Sequence, residues 1–143
     1  MSVFQTTVAV RTQGRGTYNL TRDIASAIRD SGIETGTAHL FVQHTSAGII
    51  LSENADPDVR RDLETFMRDL VPDGDSRYLH QDEGPDDMPA HIRSILAASE
   101  LTIPVSRSAP GLGIWQGIYL WEHRTAPHHR KIIVTVQGHA PTE

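Results

Sequence analysis

Three histidines that lie far apart in the chain, His44, His80 and His91, have the chemistry of metal ligands. Neutral imidazole is a common metal ligand, and three of them around an open position are typical of a catalytic zinc or a similar divalent ion. His91 falls in the first turn of a predicted helix, whose positive end favours the neutral ring. The spacing is not HExxH. These residues alone therefore leave surface or hydrogen-bonded core histidines as the alternative.

A carboxylate, Glu122, ends an apolar row of a predicted strand and is a candidate base or orienting group. Burying a carboxylate costs several kcal/mol unless it has partners. Arg124 and Arg130 are plausible partners, so a purely structural ion pair is the competing interpretation. Ser46 and Asn54 would lie close together if the strands flanking the bend at 45–48 form a hairpin, and they could then position a ligand.

Two other motifs are less informative. The chain has no G-x-S-x-G, so a serine nucleophile at Ser46 is not indicated. The segment 110–113 lacks the Walker lysine and a following helix, which favours an ordinary flexible turn, with a backbone anion nest as the minor alternative.

The elements that must position these residues alternate without a regular βαβ rhythm. Hydrophobic patterning predicts strands over residues 3–11, 18–20, 37–44, 49–53, 101–105, 114–122 and 130–137. The strand 114–122 is apolar on both faces, which is typical of a central strand or of one covered by a second subunit. Helices beside a mixed or mostly antiparallel sheet predict an α+β fold.

Two or three helices are expected between the strands. Thr21 is a candidate N-cap for the first, which Gly32 ends, and Asp56 is the N-cap expected for the second. The second helix carries an apolar stripe of Val59, Leu63, Phe66, Met67 and Leu70. Asp87 is the expected cap of the third, with Ile92, Ile95 and Leu96 facing inward.

Composition narrows the class of protein. The 143 residues match one domain spanning 1–143. No cysteine is present, which excludes a disulfide framework and a zinc–thiolate site. There is no signal-peptide pattern and no apolar run of 18 residues, so we expect a cytoplasmic chain that does not enter a membrane. The net charge of −5, without a basic block, argues against nucleic acid but leaves a small anion possible.

Several stretches together carry a family resemblance. They are the residues at 44–47 (HTSA), 52–60 (SENADPDVR), 86–91 (DDMPAH), and 113–118 (GIWQGI) with Leu120, Glu122, His123 and Arg124. In order and separation they resemble the YjbQ-like family, often labelled secondary thiamine-phosphate synthase. The resemblance implies an α+β fold with a barrel-like mixed sheet, a homotrimer, and a site whose histidines match His44, His80 and His91.

The resemblance also implies an activity. It would join a pyrimidine pyrophosphate to a thiazole phosphate with loss of pyrophosphate, which needs charge neutralisation. Histidine ligands favour a zinc-like divalent ion, with magnesium as the alternative, and this mismatch would make the synthase activity secondary to another reaction. We expect a metal-assisted enzyme acting on a small phosphorylated or anionic metabolite, or else a non-catalytic ligand- or metal-binding module.

The remaining motif residues complete the expected site: Glu122, Asn54 and Asp87 as catalytic groups, and Thr45, Ser46, Asp56, Gly113 and Gln116 as ligand-binding groups.

Overall fold

The computed structural model describes residues 1–142 and shows an α+β fold of three helices and eight strands. The elements are β1 (Ser2–Arg11), β2 (Gly16–Asn19), α1 (Thr21–Ser31), β3 (Thr35–Val42), β4 (Ala47–Glu53), α2 (Pro57–Leu70), α3 (Asp87–Leu96), β5 (Glu100–Ser106), β6 (Ala109–Pro110), β7 (Gln116–Glu122) and β8 (His129–His139). The prediction of an α+β fold with up to three helices is confirmed.

The strands form two sheets that together curl into a half-barrel. The larger has the order β1-β8-β3-β5-β6 and the smaller β2-β7-β4. Neighbouring strands run antiparallel. Period-two alternation places Leu40 of β3 and Val134 of β8 inside, where they share one core with Ile24 and Ile28 of α1 and with Leu120 of β7. The core thus lies between the two sheets and α1.

The segment between β3 and β4 crosses from one sheet to the other, so the two strands do not form the expected hairpin. β4 instead pairs with β7, with Ala47 opposite Glu122 and Glu53 opposite Gln116. This makes β7 the central strand of the smaller sheet. Its apolar character on both faces is thereby explained, and Tyr119 and Trp121 are buried, whereas Trp115 lies outside the strand and is 61% exposed.

Helix boundaries follow the sequence closely, with two corrections. Asp56 caps α2 by accepting a hydrogen bond from the Asp58 N–H, as expected. Thr21 is the first residue of α1 rather than its cap, and its hydroxyl accepts from the Ile118 N–H of β7. Asp87 likewise begins α3 instead of capping it, which frees its carboxylate for other contacts.

Two helices leave apolar side chains in solvent. Of the stripe on α2, Met67 is buried, but Phe66 is 68% exposed and Leu70 is also exposed. On α3 the expected inward face is only partly right: Ile92 packs against the cluster of Met67, Val71 and Trp121, but Ile95 is 83% exposed and Leu96 is exposed. Helical periodicity marks an apolar face without saying what covers it. Within residues 1–142, no helix has the length and apolarity needed to cross a bilayer.

Candidate metal centre

Two of the three predicted histidines meet beside the start of α3. His91 follows Asp87 by four residues, a spacing that puts both side chains on one helix face. His80 arrives from the long loop between α2 and α3. One ligand atom from each of His80, Asp87 and His91 lies within 4.8 Å of the others, a spacing that suits three ligands of one cation.

The hydrogen bonds around this group orient the ligand atoms inward. The Asp87 Oδ2 atom lies 2.7 Å from His80 Nε2 and 3.1 Å from His91 Nε2. His91 Nδ1 lies 3.1 Å from the Thr45 carbonyl, which can only accept, so Nδ1 carries a proton. His91 Nε2 is therefore the nitrogen left to face the carboxylate. A ring that carries its proton on Nδ1 presents the electron pair of Nε2 to a metal, which is the tautomer that metal-ligating histidines use.

Arg124 holds the carboxylate in place. Its Nη1 donates to Asp87 Oδ1 at 2.7 Å and its Nε donates to Asp86 Oδ2 at 2.9 Å. Burial raises the pKa of Asp87, but the hydrogen bond from His80 and the charge of Arg124 outweigh it and leave that pKa below its ordinary value. Asp87 is thus a carboxylate with one oxygen anchored and the other facing two imidazoles. Sequence reasoning named Arg124 only as a partner for Glu122 and missed this role; the Asp87–His91 spacing was the available signal for the pair.

His44 lies near the group but is not one of its members. It lines a cleft of about 390 Å³ together with His91, Thr45 and Ser99. Its Nε2 accepts a hydrogen bond of 2.8 Å from the Lys131 main-chain N–H. Burial, with Arg130 nearby, holds the pKa of His44 below its ordinary value, which favours the neutral ring.

Glu122 is fully buried and saturated with donors. Both its oxygens pair with the Arg130 guanidinium, Thr12 Oγ1 donates at 2.7 Å, and the Arg124 main-chain N–H donates at 3.2 Å. Burial raises the pKa of Glu122, but the bonds from Arg130 and Thr12 more than compensate and lower it. The geometry corresponds to the structural and orienting interpretation, because a base needs a free oxygen and a pKa nearer neutrality.

Thr45 and Ser46 lie at the same end of the molecule as the histidines. The Thr45 carbonyl holds His91, as described above. Ser46 is buried, and its hydroxyl accepts from Arg130 Nη2 at 2.9 Å, so it supports the Glu122 ion pair at the wall of a cleft that it lines together with His44 and Ser99.

The other four expected site residues lie at the far end of the smaller sheet. Ser46 and Asn54 are separated by the whole of β4, about 26 Å of extended chain. Asn54 donates to main-chain carbonyls at both ends of the 114–116 segment, Gln116 accepts from the Gly113 N–H at 2.8 Å, and Asp56 caps α2. Within one chain, Asn54, Asp56, Gly113 and Gln116 therefore do not join His80, Asp87 and His91; the hairpin that would have brought Asn54 to Ser46 is absent.

Comparison with known proteins shows the family to which this chain belongs. The family model described as "UPF0047 protein YjbQ-like" matches residues 6–139. The chain belongs to the YjbQ-like family. A YjbQ-like relative, the UPF0047 protein sll1880 of Synechocystis, is 48% identical over 134 residues, covering 94% of this chain and 91% of the relative. The UPF0047 protein YjbQ of Escherichia coli O157:H7 is 42% identical, covering 94% and 98%.

Solved structures have the same fold. The conserved hypothetical protein TT1486 of Thermus thermophilus matches with a TM-score of 0.83 at 31% identity, covering 92% of this chain and 99% of that one. A protein of the yjbq/upf0047 family from Clostridium acetobutylicum matches with a TM-score of 0.82 at 34% identity, again covering 92% and 99%. The resemblance identified in the sequence is confirmed.

Proposed function

We propose that the chain is a metal-assisted enzyme acting on a small phosphorylated or otherwise anionic metabolite. The observation that carries the proposal is the convergence of His80, Asp87 and His91 within 4.8 Å beside an open cleft. A cleft of that size suits a small metabolite. Three protein ligands with an open position are the arrangement expected of a catalytic rather than a structural site.

The ligand atoms favour a zinc-like ion. Two imidazole nitrogens and one carboxylate oxygen match zinc and similar transition metals, whereas magnesium prefers oxygen ligands. When bound, such a cation would supply a Lewis acid for a substrate oxygen. The protein's own contribution is to fix the ligands: Thr45 orients His91, and Arg124 orients Asp87. His44 as a third nitrogen ligand stays a prediction, and its Nε2 would have to leave the Lys131 N–H to bind metal.

Metal analysis of protein purified without an affinity tag tests the centre. We expect bound zinc or a similar ion in the wild type and its loss in His91→Ala. His39→Ala is the matched control, because His39 also lies 3.0 Å from a carboxylate, Glu100, but is not part of the His80–Asp87–His91 cluster. Equal metal content in both variants would remove the proposed centre.

Turnover separates the enzyme from the alternative, a non-catalytic ligand- or metal-binding module. The screen would use phosphorylated metabolites, including the pyrimidine pyrophosphate and thiazole phosphate pair of the synthase reaction. Metal-dependent product that disappears in Asp87→Asn supports the enzyme. Thermal stabilisation by a ligand without any product would instead favour the binding module.

A homotrimer in the cytoplasm completes the proposal. Its support is the apolar surface left on α2 and at Trp115, since large exposed aromatic side chains mark interaction sites. Light scattering at micromolar concentration is the measurement, and a monomer would exclude the trimer.

A further inference from the structure

The imidazole of His44 is fixed by the main chain of β8. The β3–β8 ladder ends at Val42, opposite Ile132. Beyond it, the Gln43 N–H donates to the Lys131 carbonyl at 3.2 Å, and the Lys131 N–H donates to His44 Nε2 at 2.8 Å. The His44 side chain thus takes the place of the next main-chain acceptor in the ladder.

This contact determines which ring nitrogen carries the proton. A main-chain N–H can only donate, so Nε2 must be the unprotonated nitrogen. The neutral ring then carries its proton on Nδ1. If Nε2 turned to a metal, the Lys131 N–H would lose its acceptor, at the cost of an unpaired main-chain donor.

The surroundings of His44 favour a ligand rich in acceptors. His44 lines two adjoining clefts, one shared with His91 and the other with Arg130, and both include Thr45 and Ser99. Neither lining contains a carboxylate, whereas imidazole and hydroxyl donors are present in both. Among residues 1–142, His44 Nδ1 has no hydrogen-bond partner, so its proton is available to a bound molecule.

We propose that His44 is a hydrogen-bond donor that holds an oxyanion of the ligand through Nδ1–H, beside the metal centre and not as one of its ligands. The inference rests on the proposed function for the position of that ligand, and it assigns the neighbouring cleft to the part of the ligand that the metal does not hold. It also distinguishes His44 from His80 and His91, with which the sequence grouped it.

The first experiment measures the proton directly. In uniformly ¹⁵N-labelled protein, long-range ¹H–¹⁵N spectra distinguish the two neutral tautomers, and each ring is assigned with a His→Asn variant. We expect His44 to show the Nδ1–H form in the metal-free protein and to keep it when Zn²⁺ is added, while the His80 and His91 nitrogens shift. Protonation of His44 on Nε2, or a zinc-induced shift of its ring like that of His91, would overturn the proposal.

The second experiment compares variants with Zn²⁺ and inorganic pyrophosphate as probes, by isothermal titration. His44→Phe should leave zinc affinity within about twofold, whereas His91→Asn should weaken it by about tenfold or more. Pyrophosphate affinity should fall about 10- to 100-fold in His44→Phe, the loss of one hydrogen bond to a charged group, and recover in His44→Asn, whose amide restores a donor near Nδ1.

The outcomes separate the two proposals. Three outcomes would each overturn the role of His44. They are unchanged pyrophosphate affinity in His44→Phe, no pyrophosphate binding by the wild type, and a tenfold loss of zinc affinity in His44→Asn. Failure of the wild type to bind zinc would overturn the metal centre alone, since the tautomer and the pyrophosphate titration are also measured on metal-free protein.

Discussion

The buried ion pair of Glu122 and Arg130 makes a quantitative prediction about stability. In Glu122→Gln the side chain keeps its size but loses its charge, and one acceptor oxygen becomes an NH₂ donor. That donor would face the Arg130 guanidinium, which bonds both carboxylate oxygens and can only donate. The carboxylate also accepts from Thr12 Oγ1 and from the Arg124 main-chain N–H. The variant therefore both unpairs Arg130 and creates opposed donors.

The size of the effect follows from burial. Both side chains are almost fully excluded from solvent, and removing one partner of a buried pair costs about 3–5 kcal/mol. Arg130 retains Ser46 as an acceptor, so the lower end, about 3 kcal/mol, is expected. For a chain of this size that corresponds to a fall of about 6–12 °C in Tm.

Urea denaturation followed by circular dichroism at pH 7 is the assay. Glu100→Gln is the matched control, because Glu100 also pairs with a basic side chain but is largely exposed; its free energy of unfolding should change by less than about 0.5 kcal/mol. A loss below about 1 kcal/mol in Glu122→Gln would refute the reasoning. Normal stability with abolished turnover would instead restore Glu122 as a base.

The pH dependence of the same pair has a definite sign. The pKa of Glu122 is lower in the folded protein than its ordinary value of 4.5, so the unfolded chain binds the proton more readily. Its contribution to stability is therefore complete above that ordinary value and is lost as the pH falls through the folded pKa. The difference between the wild type and Glu122→Gln should shrink in that acidic range.

Three further predictions follow from other contacts. Burial, with Arg93 nearby, lowers the pKa of His123 to about 3. As the pH falls from about 6.5 to about 3, the free energy of unfolding should therefore decrease by up to about 1.4 kcal/mol per pH unit. Urea titration of His123→Gln should show a shallower pH dependence. Arg124→Met should weaken zinc binding by about 10- to 100-fold by isothermal titration, since Asp87 loses its anchor, and unchanged affinity would contradict that role. Phe66→Asp should convert the proposed trimer to monomers by light scattering, because Phe66 is exposed within one chain and the change places a charge on the apolar face of α2.

Local signals in the sequence predicted most of the fold. Asp56 and Pro57 at the start of α2, Gly32 in the left-handed conformation after α1, and the alternation in β3 and β8 are properties of short stretches. Each depends on capping chemistry or strand periodicity that neighbouring residues determine. The structure contains each of these elements, with ends that differ from the predicted ends by one or two residues.

What the sequence did not predict depended on pairing over long distances. The hairpin expected around Ser46 was wrong because the chain changes sheets there, and β4 finds its partner in β7 about seventy residues later. Asn54, which that hairpin and the family motif both assigned to the site, lies at the opposite end of β4. The outward faces of α2 and α3 have the same origin, since periodicity cannot say whether an apolar face meets the chain's own core.

The histidine prediction also combines a local contact, which the sequence could predict, with a long-range contact, which it could not. The Asp87–His91 contact is local to one helix, and its i,i+4 spacing is visible in the sequence. His80 lies beside Asp87 and His91 only because the 71–86 loop folds back. The Gly74 N–H donates to the Pro85 carbonyl, and His80 Nε2 contacts the Asp87 carboxylate. Residue type alone could nominate His44, His80 and His91. It could not show that His44 differs from the other two, because its Nε2 accepts a hydrogen bond from the Lys131 main-chain N–H.

The sheet and the candidate centre are joined through Glu122, the last residue of β7, and Arg124, two residues later. Glu122 accepts from the Arg124 main-chain N–H, and the guanidinium of Arg124 holds Asp87, the carboxylate that faces both imidazoles. A fully buried ion pair is thus two contacts away from the proposed ligand oxygen. Because catalytic geometry is sensitive to displacements of about 1 Å, Glu122 can influence the site without touching a substrate, through the position of Arg124. Through that coupling Glu122 would support the proposed centre while its carboxylate remains committed to Arg130.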